Sequence, residues 1–190
     1  MYLDYFISST STIENIKLNK YDQYYYEQLI TSFLSNTNSN IYIANGNLSR
    51  VEKIKYIADN KLVKKQLYVC AADIYNNAYE TNYKKDTTPN CSECIKCKRT
   101  IITLDLLGKL EQYSTLFDFN KYQKYKDSLY VEVLANYEKN HFYKDIYELM
   151  IETNPKTPNK YRNKVVIYKI KIKLSQIKVL RKIYSLLKKK

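Results

Sequence analysis

Apolar and polar positions repeat with two different periods along this chain, and each change of period marks the edge of an expected element. Tyr2 to Ser8 is a short β-prone run, and Ile41-Tyr-Ile-Ala44 is a second. Between them, Tyr24 to Leu34 spaces its apolar residues as a helix does, and Ser35 to Asn40 reads as a polar loop. Asn45-Gly-Asn47 predicts a turn. Ser49 then stands as an N-cap with Glu52 three residues on, the pattern of a capping box, and Ile54, Ile57 and Ala58 supply the buried face of the helix that follows. Gln66 to Cys70 predicts a third short, buried strand, and a loop rich in Asn, Thr and Pro runs on to Asn90. The next helix is expected from near Ser92, with Ile101, Leu104 and Leu107 or Leu110 on one face and Gly108 near its stop. Two further helical patterns cover Tyr122 to Tyr137 and Phe142 to Ile151, and Pro155 and Pro158 break the chain after them.

The last segment fits both periods. Val166, Tyr168, Ile170, Ile172 and Leu174 alternate as in a strand, whereas Ile170, Ile177, Leu180, Tyr184 and Leu187 form a helical stripe. The helix is favoured, because the second pattern is longer and Lys, Leu and Gln are good helix formers. Its simplest form docks one face on the body and leaves a solvated lysine face. The expected fold class is therefore helix-rich α/β or α+β: a partial sheet of short strands, a four-cysteine knuckle and several C-terminal helices.

Composition sharpens this picture in three places. With 190 residues, 45% hydrophobic and 27% charged, the chain has the apolar material for one core, and no run reaches the ~20 apolar residues of a membrane span. The start lacks the pattern of a secretion signal, so a cytoplasmic chain with reduced cysteines is expected. Two glycines, Gly46 and Gly108, are too few for a glycine-rich phosphate cradle. The net charge of +13 is local: residues 153–190 hold eleven lysines, two arginines and no acid, while residues 1–152 balance 19 basic against 19 acidic side chains. The organisation expected from this is a neutral domain, 1–152, and a basic amphipathic tail, 153–190. Only four arginines occur, at 50, 99, 162 and 181, which disfavours base-specific nucleic-acid readout. Contact of the tail with an anionic membrane, or nonspecific contact with nucleic acid, is the partner reading it leaves open.

The four cysteines concentrate the chemistry. Cys91-Ser-Glu-Cys94-Ile-Lys-Cys97 brings three thiols onto a tight turn, and Cys70 ends the expected strand before it. Thiolates so spaced converge on one ion at about 2.3 Å, and four of them favour structural zinc with no open coordination position. Lys96, Lys98 and Arg99 are placed to offset the charge of such a centre. The alternatives are four reduced thiols packed as small apolar groups, or an iron–sulfur cluster.

Leu67-Tyr-Val-Cys70, Asn90-Cys-Ser-Glu-Cys-Ile-Lys-Cys-Lys-Arg-Thr100, the continuation to Leu110, and Phe117-Asp118 together resemble the C-terminal half of PP-loop proteins of the adenine-nucleotide alpha-hydrolase-like superfamily. The cysteine pattern is similar to that of 7-cyano-7-deazaguanine synthases, and more closely to relatives linked to polysaccharide loci. Asn47-Leu-Ser-Arg50-Val-Glu-Lys53-Ile54 resembles a segment preceding the zinc region in those relatives, which makes Arg50 and Lys53 candidate ligand-facing residues. The resemblance covers roughly residues 40 to 120 and implies zinc held by Cys70, Cys91, Cys94 and Cys97. It implies ATP only if a separately encoded nucleotide-binding half supplies the Ser-Gly-Gly-x-Asp-Ser loop that this sequence lacks. A split-enzyme subunit, a truncated product and a degenerate relative all fit, and in each the isolated chain is not catalytic.

Other chemistry is sparse. His141 is the single histidine and reads as a surface residue in an interhelical turn, and Asp105, Glu111 and Asp118 read as solvated helix-face acids. The 22 tyrosines are dispersed and read as amphipathic packing material rather than a base-stacking platform.

Overall fold

The computed structural model describes residues 3–8, 33–44, 47–70 and 88–187. The expected helix over Tyr24 to Leu34 lies outside them but for its last two residues, and so do much of the Asn45 turn and most of the loop before Asn90. The chain divides into two compact units, 1–60 and 61–190.

In the first unit, strands β1 (Leu3–Ser8) and β2 (Ser39–Ala44) pair in parallel, with Leu3 opposite Ser39 and Ser8 opposite Ala44. β2 begins two residues earlier than the apolar run, because Asn36 folds the loop into a turn. Its backbone pairs with Ser39, and its side chain accepts from the Asn38 amide at 2.8 Å. Helix α1 (Arg50–Ile57) has the expected capping box: the Ser49 hydroxyl accepts from the Glu52 amide at 3.2 Å, and the Glu52 carboxylate from the Ser49 amide at 2.6 Å. Val51, Ile54 and Ala58 are buried, and Ile57 is half-buried.

The second unit is helical. A single turn, α2 (Val63–Gln66), leads into an extended segment, Leu67 to Cys70, that joins no sheet. The third strand expected there is absent, and the described sheet is the β1–β2 pair. Helix α3 (Ile95–Leu106) is the centre of the unit, with Thr100, Ile101, Ile102 and Leu104 fully enclosed. It ends on Gly108, whose φ of +66° lets Lys109 donate back to Leu104 at 2.9 Å and Gly108 to Asp105 at 3.0 Å. A 3₁₀ turn (Leu110–Tyr113) follows, then α4 (Phe119–Asn136), α5 (His141–Thr153) and α6 (Thr157–Leu187). α3 packs on α4 and α5, and α4 also packs on α6.

Tyrosines knit these helices, because each buries a ring and presents a hydroxyl to a carboxylate on a neighbour. Tyr122 and Tyr130 of α4 donate to Asp105 of α3 at 2.7 and 3.0 Å, and Lys126 closes a salt bridge to the same carboxylate at 2.8 Å. Tyr143 of α5 donates to Glu132 of α4 at 2.6 Å. Asp105 is thus an anchor between helices rather than a solvated acid.

The basic segment is a helix, as the longer pattern indicated, but Pro158 does not break it. That residue sits in the first turn of α6, where a missing amide costs no intrahelical bond. α6, which carries the charge excess, belongs to the second unit and docks through Thr157, Tyr161, Val165 and Tyr168. Ile170, expected on the docked stripe, is exposed on the other side. The Tyr161 ring stacks on Tyr130 at 5.4 Å, and its hydroxyl donates to Asp127 at 2.7 Å, beside Lys164 at 2.6 Å.

Hydrogen bonds from Lys164 first, then Tyr161, hold the Asp127 carboxyl below its ordinary value of 3.8. The ionised form therefore stabilises docking above that value, and its contribution is lost as pH falls through the lowered one. Asp127→Asn is expected to lower the melting temperature by a few degrees at about pH 6, with the gap from the unsubstituted chain narrowing as pH falls below the ordinary carboxylate value. A gap unchanged by pH would show that the carboxylate charge plays no part in docking.

Candidate metal centre

The site starts from a turn that the backbone alone would not favour. Ser92, fully buried, takes φ of +63°, and this left-handed step folds Cys91 back toward Cys94 and Cys97. Its hydroxyl is held at both ends, donating to the Asn90 carbonyl at 3.3 Å and accepting from the Asp118 amide at 2.8 Å. Its carbonyl accepts from the Tyr125 hydroxyl. Asp118 in turn caps α4 through the Lys121 amide at 3.1 Å, so the turn and the start of α4 are fixed together.

The turn then uses its own amides on its sulfurs. Cys91 Sγ accepts from the Cys94 amide at 3.3 Å. Cys94 Sγ, at the N-cap of α3, accepts from the Cys97 amide at 3.5 Å. Such N–H···S contacts, with the positive end of a helix dipole, favour thiolate over thiol.

Cys70 arrives from outside the turn, and Asn90 brings it. This side chain is fully buried and makes four hydrogen bonds. Its oxygen accepts from the Val69 and Cys70 amides at 2.9 and 3.2 Å, and its nitrogen donates to the carbonyls of Leu67 and Leu116 at 2.9 and 3.2 Å. The asparagine amide serves the extended segment as a neighbouring strand would, which is why no third strand is needed.

The result is a closed group: the sulfurs of Cys70, Cys91, Cys94 and Cys97 all lie within 4.8 Å of one another, three of the residues are buried, and Cys94 is half-exposed. Cys91 and Cys97 Sγ stand 3.8 Å apart. A tetrahedron with bonds of about 2.3 Å has edges of about 3.8 Å, so the group fits one tetrahedral ion with little adjustment. None of the four is in a disulfide. Burial pushes the Cys91 thiol up to about 11. Cys97 rises further, through its hydrogen bond with Cys94 first and burial second, with repulsion from Cys94 and Cys91 added. Four crowded sulfurs cannot ionise together unless a cation offsets their charge, which is what a bound divalent metal supplies.

Of the cations expected to serve the centre, Lys98 lies over the Tyr125 ring at 4.9 Å and Arg99 over Phe142 at 3.8 Å. Lys121, which the sequence did not single out, reaches the Cys91 carbonyl at 3.5 Å and Glu93 at 3.7 Å. Arg50 and Lys53 belong to the first unit, on the first turn of α1, and burial pulls the Arg50 guanidinium below its ordinary value. His141 is the first residue of α5, half-buried against Phe142, with its pKa lowered by burial and by Arg99. Sequence reasoning missed Asn90, Ser92 and Lys121. Only Asn90 left a signal, as an amide side chain directly before the first cysteine of the run.

Comparisons of the chain with family models, curated proteins and solved structures return no match.

Asn90→Ala would strand the Val69 and Cys70 amides and the Leu67 carbonyl, while the Leu116 carbonyl keeps the backbone amide of residue 90, so unfolding by urea should show a loss of at least about 3 kcal/mol. If the same variant kept full stability, the placement of Cys70 would have to come from elsewhere.

Proposed function

We propose that this chain is a zinc-clasped structural module, in which one ion held by Cys70, Cys91, Cys94 and Cys97 ties the extended 67–70 segment to the start of α3. The observation that carries this reading is the convergence of four sulfurs from two separate stretches of chain to within 4.8 Å. An iron–sulfur cluster sets several iron and sulfide atoms between its cysteines and spreads them farther than a shared ion does, so the spacing favours the single ion. A filled tetrathiolate shell leaves no position for an activated water, which makes the metal's role structural.

The fuller reading builds on the resemblance to PP-loop proteins. The chain is the zinc-supported half of such a protein, inactive alone, with ATP bound only through a separately encoded nucleotide-binding half. Two observations support it: the resembling cysteines gather at one point, and β1 and β2 form a parallel pair with no third strand on either edge among the described residues. Parallel sheets seldom stand as two strands, so the pair suits a larger sheet.

Elemental analysis of the purified chain should find one equivalent of zinc. Chelation, or Cys91→Ser with Cys94→Ser, should lower the melting temperature by at least about 5 °C. Cobalt substitution should give the visible bands of a tetrahedral tetrathiolate ion. Equal melting temperatures with and without metal would sink the clasp. Calorimetric titration should detect no ATP binding by the chain alone, and micromolar ATP affinity would refute the split reading while leaving the clasp untouched.

A further inference from the structure

We infer that α6 carries a second working face, an interfacial strip that lays this protein on anionic membrane surfaces. Helical periodicity turns about 100° per residue, so Thr157, Tyr161, Val165 and Tyr168 share the docked side. Val166, Ile167, Ile170 and Leu174 gather on the opposite side, each 51 to 53% exposed. The sequence continues this second period through Ile177. Exposed Lys169 and Lys173 border the strip on one side and exposed Lys171 on the other. A helix with one docked face needs only polar residues outside, and four large apolar side chains at one-turn spacing there are not required by the fold.

Charge chooses the occupant. No acid occurs between residues 153 and 190, so two copies meeting through this strip would bring lysines against lysines with nothing to neutralise them. A nucleic-acid backbone would pair with the lysines and leave the apolar strip unmatched. An anionic bilayer satisfies both at once, because its headgroups meet the lysines while the strip enters the acyl boundary. No helix among the described residues is long and apolar enough to cross a membrane, so the contact lies along the surface. The inference does not depend on which ion the cysteines hold, since α6 contributes none of them.

The full chain should co-sediment with vesicles of phosphatidylcholine containing about one-third phosphatidylglycerol at least about tenfold more than with phosphatidylcholine alone. Ile167→Ser with Ile170→Ser and Leu174→Ser should reduce that binding at least about tenfold with circular dichroism unchanged. Lys169→Glu, Lys171→Glu and Lys173→Glu together should abolish the preference for anionic vesicles. Lys164 is left in place because it holds Asp127. Failure of the unsubstituted chain to bind anionic vesicles overturns the inference whatever the variants do. So does binding that ignores the serine substitutions, retention on duplex DNA in preference to vesicles, or a dimer in sedimentation that the serine substitutions dissolve.

Discussion

The amide of Asn90 is the connection on which the cysteine cluster depends. An extended segment that is partly buried without a ladder partner must satisfy its backbone groups elsewhere, and here one planar side chain accepts two amides and serves a carbonyl of the same stretch. Its second donor hydrogen goes to Leu116, so the segment, the turn and the approach to α4 are tied at a single buried residue. Cys70 reaches the other sulfurs because its own amide is one of those captured. The metal reading follows from that placement.

Around this point the second unit is held by polar contacts as much as by apolar packing. Tyr122, Tyr130, Tyr143 and Tyr161 each span two helices with the ring in the core and the hydroxyl on an acid. Burial and the neighbouring carboxylates raise every one of these phenols above the ordinary tyrosine value, so they stay protonated donors. A chain rich in tyrosine and without tryptophan thus obtains directional helix pairing that aliphatic side chains alone would not specify. The same chemistry explains why Asp105, a solvated helix acid by spacing, and Asp127 are structural anchors.

The basic helix shows how one sequence feature divides its work. The first three turns of α6 bury tyrosine and threonine against α4, and the lysines that follow surround a second apolar strip instead of a uniformly polar face. The charge excess is therefore carried by an element that belongs to the second unit.

Local rules made several elements legible in the sequence. The Ser49–Glu52 capping box, the left-handed stop at Gly108, the helices around Tyr122 and Phe142, and the tight cysteine run each depend on residues a few positions apart, and all four are in the structure. The gathering of Cys70 with the run was legible as chemistry, because four thiols at that spacing can share one ion. Pairing across distance was not. The apolar run Leu67 to Cys70 looks like a strand because an extended, partly covered backbone calls for the same residues whether its partner is another strand or Asn90 twenty residues later. Likewise, the sequence marked the stripe through Ile170, whereas contact with α4 covers the face that carries Tyr161. Sequence fixes what a residue can do within a turn or two, whereas hydrogen-bond partners and buried faces depend on what the rest of the fold brings alongside.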